Sequence, residues 1–256
     1  MLGQIINKIA TLTTGKNFPT LERPSHVDMK NTNTNEYHMA LQYDHLAHNN
    51  FWLPIAIKEG KGSYIWDVTG KKYIDFMSAY SCVNQGHCHP KILEVFIEQA
   101  KKLTITSFVT TNDKVGPAAK RLTELLGYDK ILFMNVGSEA VDCACLIARK
   151  WAYKVKKVPD GKAAILFPKM GYWGMTIGAR AACDEKARRE GFEPFASENL
   201  RFDFVEFNDL DSLETKLKGV PNIAAFVVEP VEGHAGNIHP KPGYLKVVKQ
   251  LCAKYS

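Results

Sequence analysis

No apolar run in this sequence approaches the roughly 20 residues that a membrane-crossing helix needs, and a spanning segment is not expected. A secretory leader is not expected either, since no charged start, apolar run and small-residue cleavage site come in that order. The first 21 residues carry Lys8 and Lys16, no acid and no arginine, with Ile5, Ile6, Ile9 and Leu12 between them. The absent arginine makes them a weak match to a mitochondrial presequence. The expected location is the mitochondrial matrix side, with the cytoplasm as the alternative. The positive excess, +6 from 33 basic and 27 acidic residues, is not gathered into a patch. Its densest cluster, Lys154 to Lys157 with Lys162, lacks interleaved aromatics. A solvated face explains it, and nucleic-acid binding is not expected. Metal-ligand spacing is lacking as well. The six cysteines (82, 88, 143, 145, 183 and 252) include no zinc-type pair with a matching second pair. Cys143 and Cys145 are too close for an ordinary helix to bridge. Free thiols in a reducing compartment follow, with no metal site.

What is present is a chain of 256 residues, 45% hydrophobic and 23% charged, long enough for one large domain with arms. Residues 1–36 read as a leader or extended arm, and 37–50 as loop or short helix. Alternation over Ile55–Lys58, Tyr64–Asp67 and Tyr73–Phe76, with turns at Glu59–Gly62 and Thr69–Lys71, predicts an antiparallel meander. Asp67 and Asp75 are expected to cap it or face solvent. Helical spacing covers 91–103 (Ile92, Val95, Phe96 and Ala100 on one face) and 116–126, the latter stopped by Gly127.

From Lys130 strand and helix alternate. Strands are expected at 131–134, 163–167, 202–207 and 223–228, and helices at 139–153, 211–217 and 243–255. The 139–153 helix is expected to turn Ala140, Cys143, Ala144, Ile147 and Trp151 to the core. Continuous apolar strands between helices predict a mostly parallel sheet covered on both faces. Sites in such sheets lie beyond the carboxyl ends of the strands. Segments 135–138, 168–174 and 229–236 fall there.

Each segment has two readings. Gly137 and Ser138 sit where a strand hands over to a helix, which suits a phosphate, or an ordinary serine cap after a turn glycine. In Gly171-Tyr172-Trp173-Gly174 the aromatics either stack on a planar ring or fold back on the core. Glu229 ends the most apolar strand and is placed to meet a base or a cofactor; His234, between glycines, is a site residue or a solvated one.

Several separated motifs then resemble one family. They are Lys61-Gly62-Ser63-Tyr64-Ile65-Trp66-Asp67, Gly70-Lys71-Lys72-Tyr73-Ile74-Asp75-Phe76, the run from Ser78 to Pro90, Ala148-Arg149-Lys150-Trp151, and Ala225-Phe226-Val227-Val228-Glu229-Pro230. In this order they resemble the class-III pyridoxal-phosphate-dependent aminotransferases, on the ornithine-transaminating branch, from about Tyr43 to the end. The resemblance implies an α/β fold. It would be the aspartate-aminotransferase-like large domain of the PLP-dependent transferases, here partial, over 111–256. Residues 37–110 would form an N-terminal segment holding the meander. It implies that Gly137 and Ser138 bind the cofactor phosphate, that Tyr172 stacks on the pyridine ring with Trp173 beside it, that Glu229 lies near that ring, and that Tyr80 lines the substrate pocket. It implies the family reaction, transfer of the δ-amino group of ornithine to 2-oxoglutarate.

There are departures. The family's aspartate for the pyridine nitrogen and its cofactor-bonding lysine belong to elements after the 243–255 helix, so no catalytic residue is assigned within these residues. Met175 stands where the branch has an arginine for the substrate carboxylate, His234 where it has a glutamate, Asn50 where it has a tyrosine, and Val136 where it has a threonine. These changes weigh against cofactor retention and activity in this chain. They leave as the alternative a non-catalytic structural or accessory subunit. Missing sheet cover further implies a protein partner, a hetero-complex first and a family-type homodimer second.

Overall fold

The computed structural model describes residues 22–47, 52–192 and 200–255. The chain falls into two units, residues 1–131 and 132–256.

In the first unit, helix α1 (Asn35–His45) starts where the Thr34 hydroxyl accepts from the Tyr37 N–H. Of the 37–50 segment, 37–45 is helix and the chain leaves the helix at Leu46, in extended conformation; residues 48–50 lie outside the described residues. Three antiparallel strands follow in the order β1-β2-β3: β1 (Ile57–Lys61), β2 (Tyr64–Asp67) and β3 (Lys72–Ile74). The expected meander is therefore present, but Glu59–Lys61 belongs to β1, and the first turn is only Gly62 and Ser63. Of the two expectations for Asp67, capping the strand end or facing solvent, capping holds. It is 2% exposed, and its carboxylate accepts from the Thr69 amide and hydroxyl, the Lys71 amide, Asn35 Nδ2 and Tyr73 OH. A buried carboxylate is tolerable only when its lone pairs are filled in this way. Asn35 returns its own Oδ1 to the Ala56 N–H at 2.7 Å, tying α1 to the meander.

After β3 the backbone makes a left-handed turn. Ser78, Ala79, Tyr80 and Ser81 all have positive φ, between 48° and 68°. L-residues resist that conformation by roughly 1–2 kcal/mol each. The turn is clamped from below. Asp75 Oδ1 accepts from the Met77 and Ser78 amides, and Oδ2 meets His87 Nε2 at 2.7 Å. His87 in turn exchanges both backbone hydrogen bonds with Gly62. A Cβ on Gly60 would come within 2.8 Å of the His87 ring, which is why β1 carries a glycine there. Helices α2 (Pro90–Lys102) and α3 (Val115–Leu126) match expectation, and Gly127 closes α3 in the left-handed conformation at φ 72°. The apolar stripe of α2 is uncovered: Ile92, Val95 and Phe96 are 56%, 66% and 69% exposed.

The second unit holds helix α4 (Gly137–Lys154), β4 (Ala164–Pro168), two short helices α5 (Ile177–Ala181) and α6 (Lys186–Arg189), β5 (Phe202–Val205), α7 (Leu210–Gly219), β6 (Ile223–Phe226) and α8 (Tyr244–Lys254). The strands are parallel in the order β5-β4-β6. β4 is buried along its whole length because both its faces are covered. Ile165 and Phe167 meet α4 and α5 on one face; Leu166 meets α7 and α8 on the other.

Two expectations fail here. Residues 131–134 form no strand. A strand exists only as a paired element, and among the described residues none pairs with this segment. The helix α4 also turns a different side to the sheet: Cys145 and Ala152 are buried, with Val141 and Ala148 packed beside them, while Ile147 and Trp151 are 55% and 43% exposed. The sheet takes the small residues, which let the helix axis approach closely. The bulky apolar residues, with Leu146, form a second apolar face.

Candidate functional site

The site is built in the second unit, where α4 begins and the loops after β4 and β6 converge. The N-cap of α4 is Val136, whose side chain makes no capping bond. The first N–H groups of an α-helix have no partner within it, so an apolar cap leaves the positive end of an 18-residue helix available to an anion. Nothing lies within 4 Å of the place where a Cβ on Gly137 would sit. Glu139, the nearby acid, is folded back onto the Asn135 amide and side chain.

Ser138 joins this turn to the aromatic loop. Its Oγ accepts from the Met175 N–H at 3.3 Å, which leaves its proton to donate elsewhere. Gly174 lies against it at φ 121°; a Cβ there would stand 2.2 Å from the Ser138 Oγ. Gly171 is needed likewise, since a Cβ would come 2.3 Å from the Trp173 ring.

The two aromatics of the loop go opposite ways. Trp173 is 5% exposed and packs against Phe167 with ring centroids 5.0 Å apart. Tyr172 is 46% exposed and stacks on His234 at 5.6 Å and 27°. Its amide donates to Glu229 Oε2 at 3.1 Å, so Glu229 fastens the loop after β4 to the loop after β6. His234 sits below the ordinary histidine pKa, first through desolvation and then through repulsion by Arg188, with Glu185 and Glu229 opposing.

The structure thus brings Gly137, Ser138, Tyr172, Met175, Glu229 and His234 together. Tyr80 belongs to the first unit, at the crest of its left-handed turn and 80% exposed. Asn50 lies outside the described residues.

Three contributors had no signal in the sequence. Gly174 reads as an ordinary loop glycine until its approach to Ser138 is seen. Arg180, at the end of α5, places Nη2 2.7 Å from the Met175 Sδ. Glu232 is 1% exposed with Oε1 unpartnered, and its backbone pairs both ways with Ile238. Burial, then the neighbouring Glu229 and Asp184, push its carboxyl up to about 7.

A model of the class-III aminotransferase family matches residues 45–256. The chain belongs to that family. It is 46% identical over 210 residues to the mitochondrial ornithine aminotransferase of Drosophila melanogaster, covering 82% of this chain and 48% of that one. With the mitochondrial ornithine aminotransferase of Rattus norvegicus it shares 44% identity over 222 residues, 87% of this chain and 50% of the other. Among solved structures, the ornithine aminotransferase of Toxoplasma gondii ME49 superposes with a TM-score of 0.82 at 40% identity, over 87% of this chain and 52% of that one. A second structure of the Toxoplasma gondii enzyme, at TM-score 0.83 and 39% identity over 87% and 51% of the two chains, has PLP at partial occupancy in its active site. This class-III aminotransferase chain spans about half the length of the relatives it matches. Among the described residues, no helix is long and apolar enough to cross a membrane, and no cluster of three or more His, Cys, Asp or Glu side chains could hold a metal ion.

Proposed function

We propose that these residues form the phosphate- and ring-binding part of an ornithine-type transaminase site. The observation that carries the reading is the Ser138 hydroxyl. It stands at the uncapped start of α4, locked to the aromatic loop through Met175 and Gly174. The donor set fits a phosphate monoester: helix N–H groups, a hydroxyl with its proton free, and open space over Gly137. Tyr172 offers a half-exposed ring for a flat heterocycle, backed by His234 and held in place by Glu229.

Pyridoxal phosphate, when bound, supplies an electron-withdrawing ring that takes up the electron pair freed at an amino-bearing carbon. This chain's residues have other tasks. Gly137 and Ser138 hold the phosphate, Tyr172 excludes water from one ring face, and Glu229 keeps the two loops from separating. No lysine among them is assigned the covalent role, and the 256 residues by themselves are proposed not to transaminate. The whole reaction, ornithine with 2-oxoglutarate, is proposed from the named relatives, as is a mitochondrial location.

A protein partner is part of the proposal. Ile92, Val95 and Phe96 on α2, and Leu146, Ile147 and Trp151 on α4, present apolar stripes that water penalises. Among the described residues, β6 is paired on one edge only. A hetero-complex is the preferred form and a homodimer the second.

Equilibrium dialysis of pyridoxal phosphate against the chain tests the site. Saturable binding, weakened about tenfold by Ser138→Ala and displaced by inorganic phosphate, is expected. Binding indifferent to Ser138, or none, overturns it.

A further inference from the structure

The segment after β6 meets the aromatic loop at two places. At its base, Glu229 Oε2 accepts from the Tyr172 N–H; further on, His234 stacks on the Tyr172 ring. Between and beyond these points the chain folds into a hairpin with His234 near its tip. Glu232 and Ile238 exchange both backbone hydrogen bonds, and Gly233 O accepts from the Gly236 and Asn237 amides. Gly236 and Asn237 turn the chain back at φ 114° and 56°. Whatever displaces this hairpin displaces the support of Tyr172.

Glu232 is the buried side chain of the hairpin, 1% exposed, and its Oε1 meets no donor. The charges that act on it are two further carboxylates, Glu229 at the hairpin base and Asp184 ahead of α6. On α8, Tyr244 brings a hydroxyl within reach of its charge, itself buried and unpartnered. The nearby cations Arg180 and Arg188 act instead on His234, where Glu185 and Glu229 oppose them. Neither acidic neighbour is free to turn away. Glu229 holds the Tyr172 amide, and Asp184 Oδ1 accepts from the Met170 N–H at 2.7 Å. Both therefore fasten the same aromatic loop, two residues apart. An ionised Glu232 would be buried, short of donors and beside two like charges, and a neutral carboxyl avoids all three penalties.

We propose that Glu232 is a positioning residue of this site: as a neutral carboxyl it lets Glu229 and Asp184 hold the aromatic loop by its Tyr172 and Met170 amides, and as an ion it drives the 232–238 hairpin away from that loop. The inference rests on the transaminase reading for what the loop binds, and it makes the ring side of the site sensitive to pH. The sign follows from linkage. The closed hairpin keeps its proton up to about pH 7, the open one only to the ordinary 4.5, so opening gains on closure as pH rises between those values.

The test is amide exchange of the 256-residue chain without ligand, resolved by residue and corrected for intrinsic rates, at pH 5 and pH 7.5. For the Tyr172, Glu232 and Ile238 amides, the opening that permits exchange should be at least about tenfold more populated at the higher pH. Glu232→Gln and Glu232→Leu, neutral at both values, should remove the difference. The Val227 amide, bonded to Leu166 within the sheet, should stay slower than all three. A parent-like pH difference in either folded variant overturns the assignment. So does a Tyr172 amide no faster than Val227, since the hairpin would then open only with the whole unit. Dialysis of pyridoxal phosphate at the same two pH values separates the two ideas. Binding that weakens with pH more in the parent than in Glu232→Gln supports both. Equal weakening in both overturns the positioning role. Absence of binding by either chain at either pH removes the cofactor-site reading, while the hold of Glu232 on the loop is judged by exchange alone.

Discussion

Gly174 and Ser138 are in such close contact that a single methyl group on the glycine would stand 2.2 Å from the serine oxygen. The contact joins the loop after β4 to the first turn of α4. Gly174→Ala has two costs: a residue with a Cβ forced to φ 121°, and displacement of the serine. Each is on the order of 1–3 kcal/mol. The expected result is a chain that keeps its far-ultraviolet circular dichroism but binds pyridoxal phosphate at least about tenfold more weakly, since 1.4 kcal/mol is tenfold. Undiminished binding would mean that the loop and the helix start are not one device.

Glu232 gives a pH dependence of unusual sign. Its folded-state pKa is raised from the ordinary 4.5 to about 7, by burial first. The folded chain therefore holds a proton that the unfolded chain has released, and stability falls as pH rises from about 4.5 to about 7. Discounted for solvent screening, the loss is on the order of 2 kcal/mol. Glu232→Gln removes the titration. Urea unfolding at pH 5, 6, 7 and 8, followed by tryptophan fluorescence, should show this slope in the parent chain and a flatter profile in the variant. Parallel profiles would assign the slope to other groups.

Asp67 acts in the opposite direction. Hydrogen bonds from Thr69 above all, then Asn35, Tyr73 and the Lys71 amide, hold its carboxyl well below the usual carboxylate range. Its stabilisation is present above the ordinary pKa of 3.8 and is lost as pH falls below it. Asp67→Ala leaves five donors facing an apolar methyl. The first unit should melt lower by on the order of 10 °C, with amide exchange accelerated across β2 and β3. Unchanged exchange there would show that the meander does not depend on this carboxylate.

How much of this was legible follows the physics of each element. β4 and β6 announce themselves because a strand covered on both faces is written as a continuous apolar run, whereas β5 carries Asp203 between its aromatics. Gly127 is readable because a helix end wants a left-handed residue and glycine adopts it freely. The inward side of α4 is not readable from size, since a tightly packed sheet selects Cys145, Ala148 and Ala152 over Ile147 and Trp151. Residues 131–134 have strand composition, but pairing is a property of two segments and the sequence shows one. Nothing in Ser78-Ala79-Tyr80-Ser81 favours positive φ; the clamp by Asp75 and His87, 12 residues apart in sequence, imposes it. Arg180 could not be paired with Met175 without the phase of α5.

Apolar area should decide the behaviour of the chain in solution. With Ile92, Val95 and Phe96 on α2 and Leu146, Ile147 and Trp151 on α4 all exposed, a lone chain is expected to self-associate when purified without a partner. Size-exclusion chromatography with light scattering reads this directly. A stable monomer at micromolar concentration would contradict the partner proposal.

The last prediction concerns whether any lysine here can take over covalent chemistry with the cofactor. Lys169 is the nearest in sequence to the aromatic loop, at the carboxyl end of β4. A nucleophilic lysine must lose its proton near neutral pH, which needs burial or a neighbouring cation. Lys169 has neither. Its ammonium is ion-paired with Glu206 and is nearly half-exposed. The hydrogen bond and charge of that carboxylate, with Asp184 adding to them, raise its pKa above the ordinary lysine value. Its backbone amide is committed to Val205 across the sheet, which fixes where the side chain starts. The amine is therefore protonated at working pH and tied to an acid. The 256-residue chain incubated with pyridoxal phosphate, ornithine and 2-oxoglutarate should form no glutamate above the protein-free control. Borohydride reduction of the chain with pyridoxal phosphate should leave no pyridoxyl group on Lys169 by peptide mass mapping. Glu206→Gln frees the ammonium and lowers its pKa toward the ordinary value, but supplies no burial, so it should not create turnover. Glutamate formation by the parent chain, with a pyridoxyl group mapped to Lys169, would show that these residues carry a working transaminase site of their own.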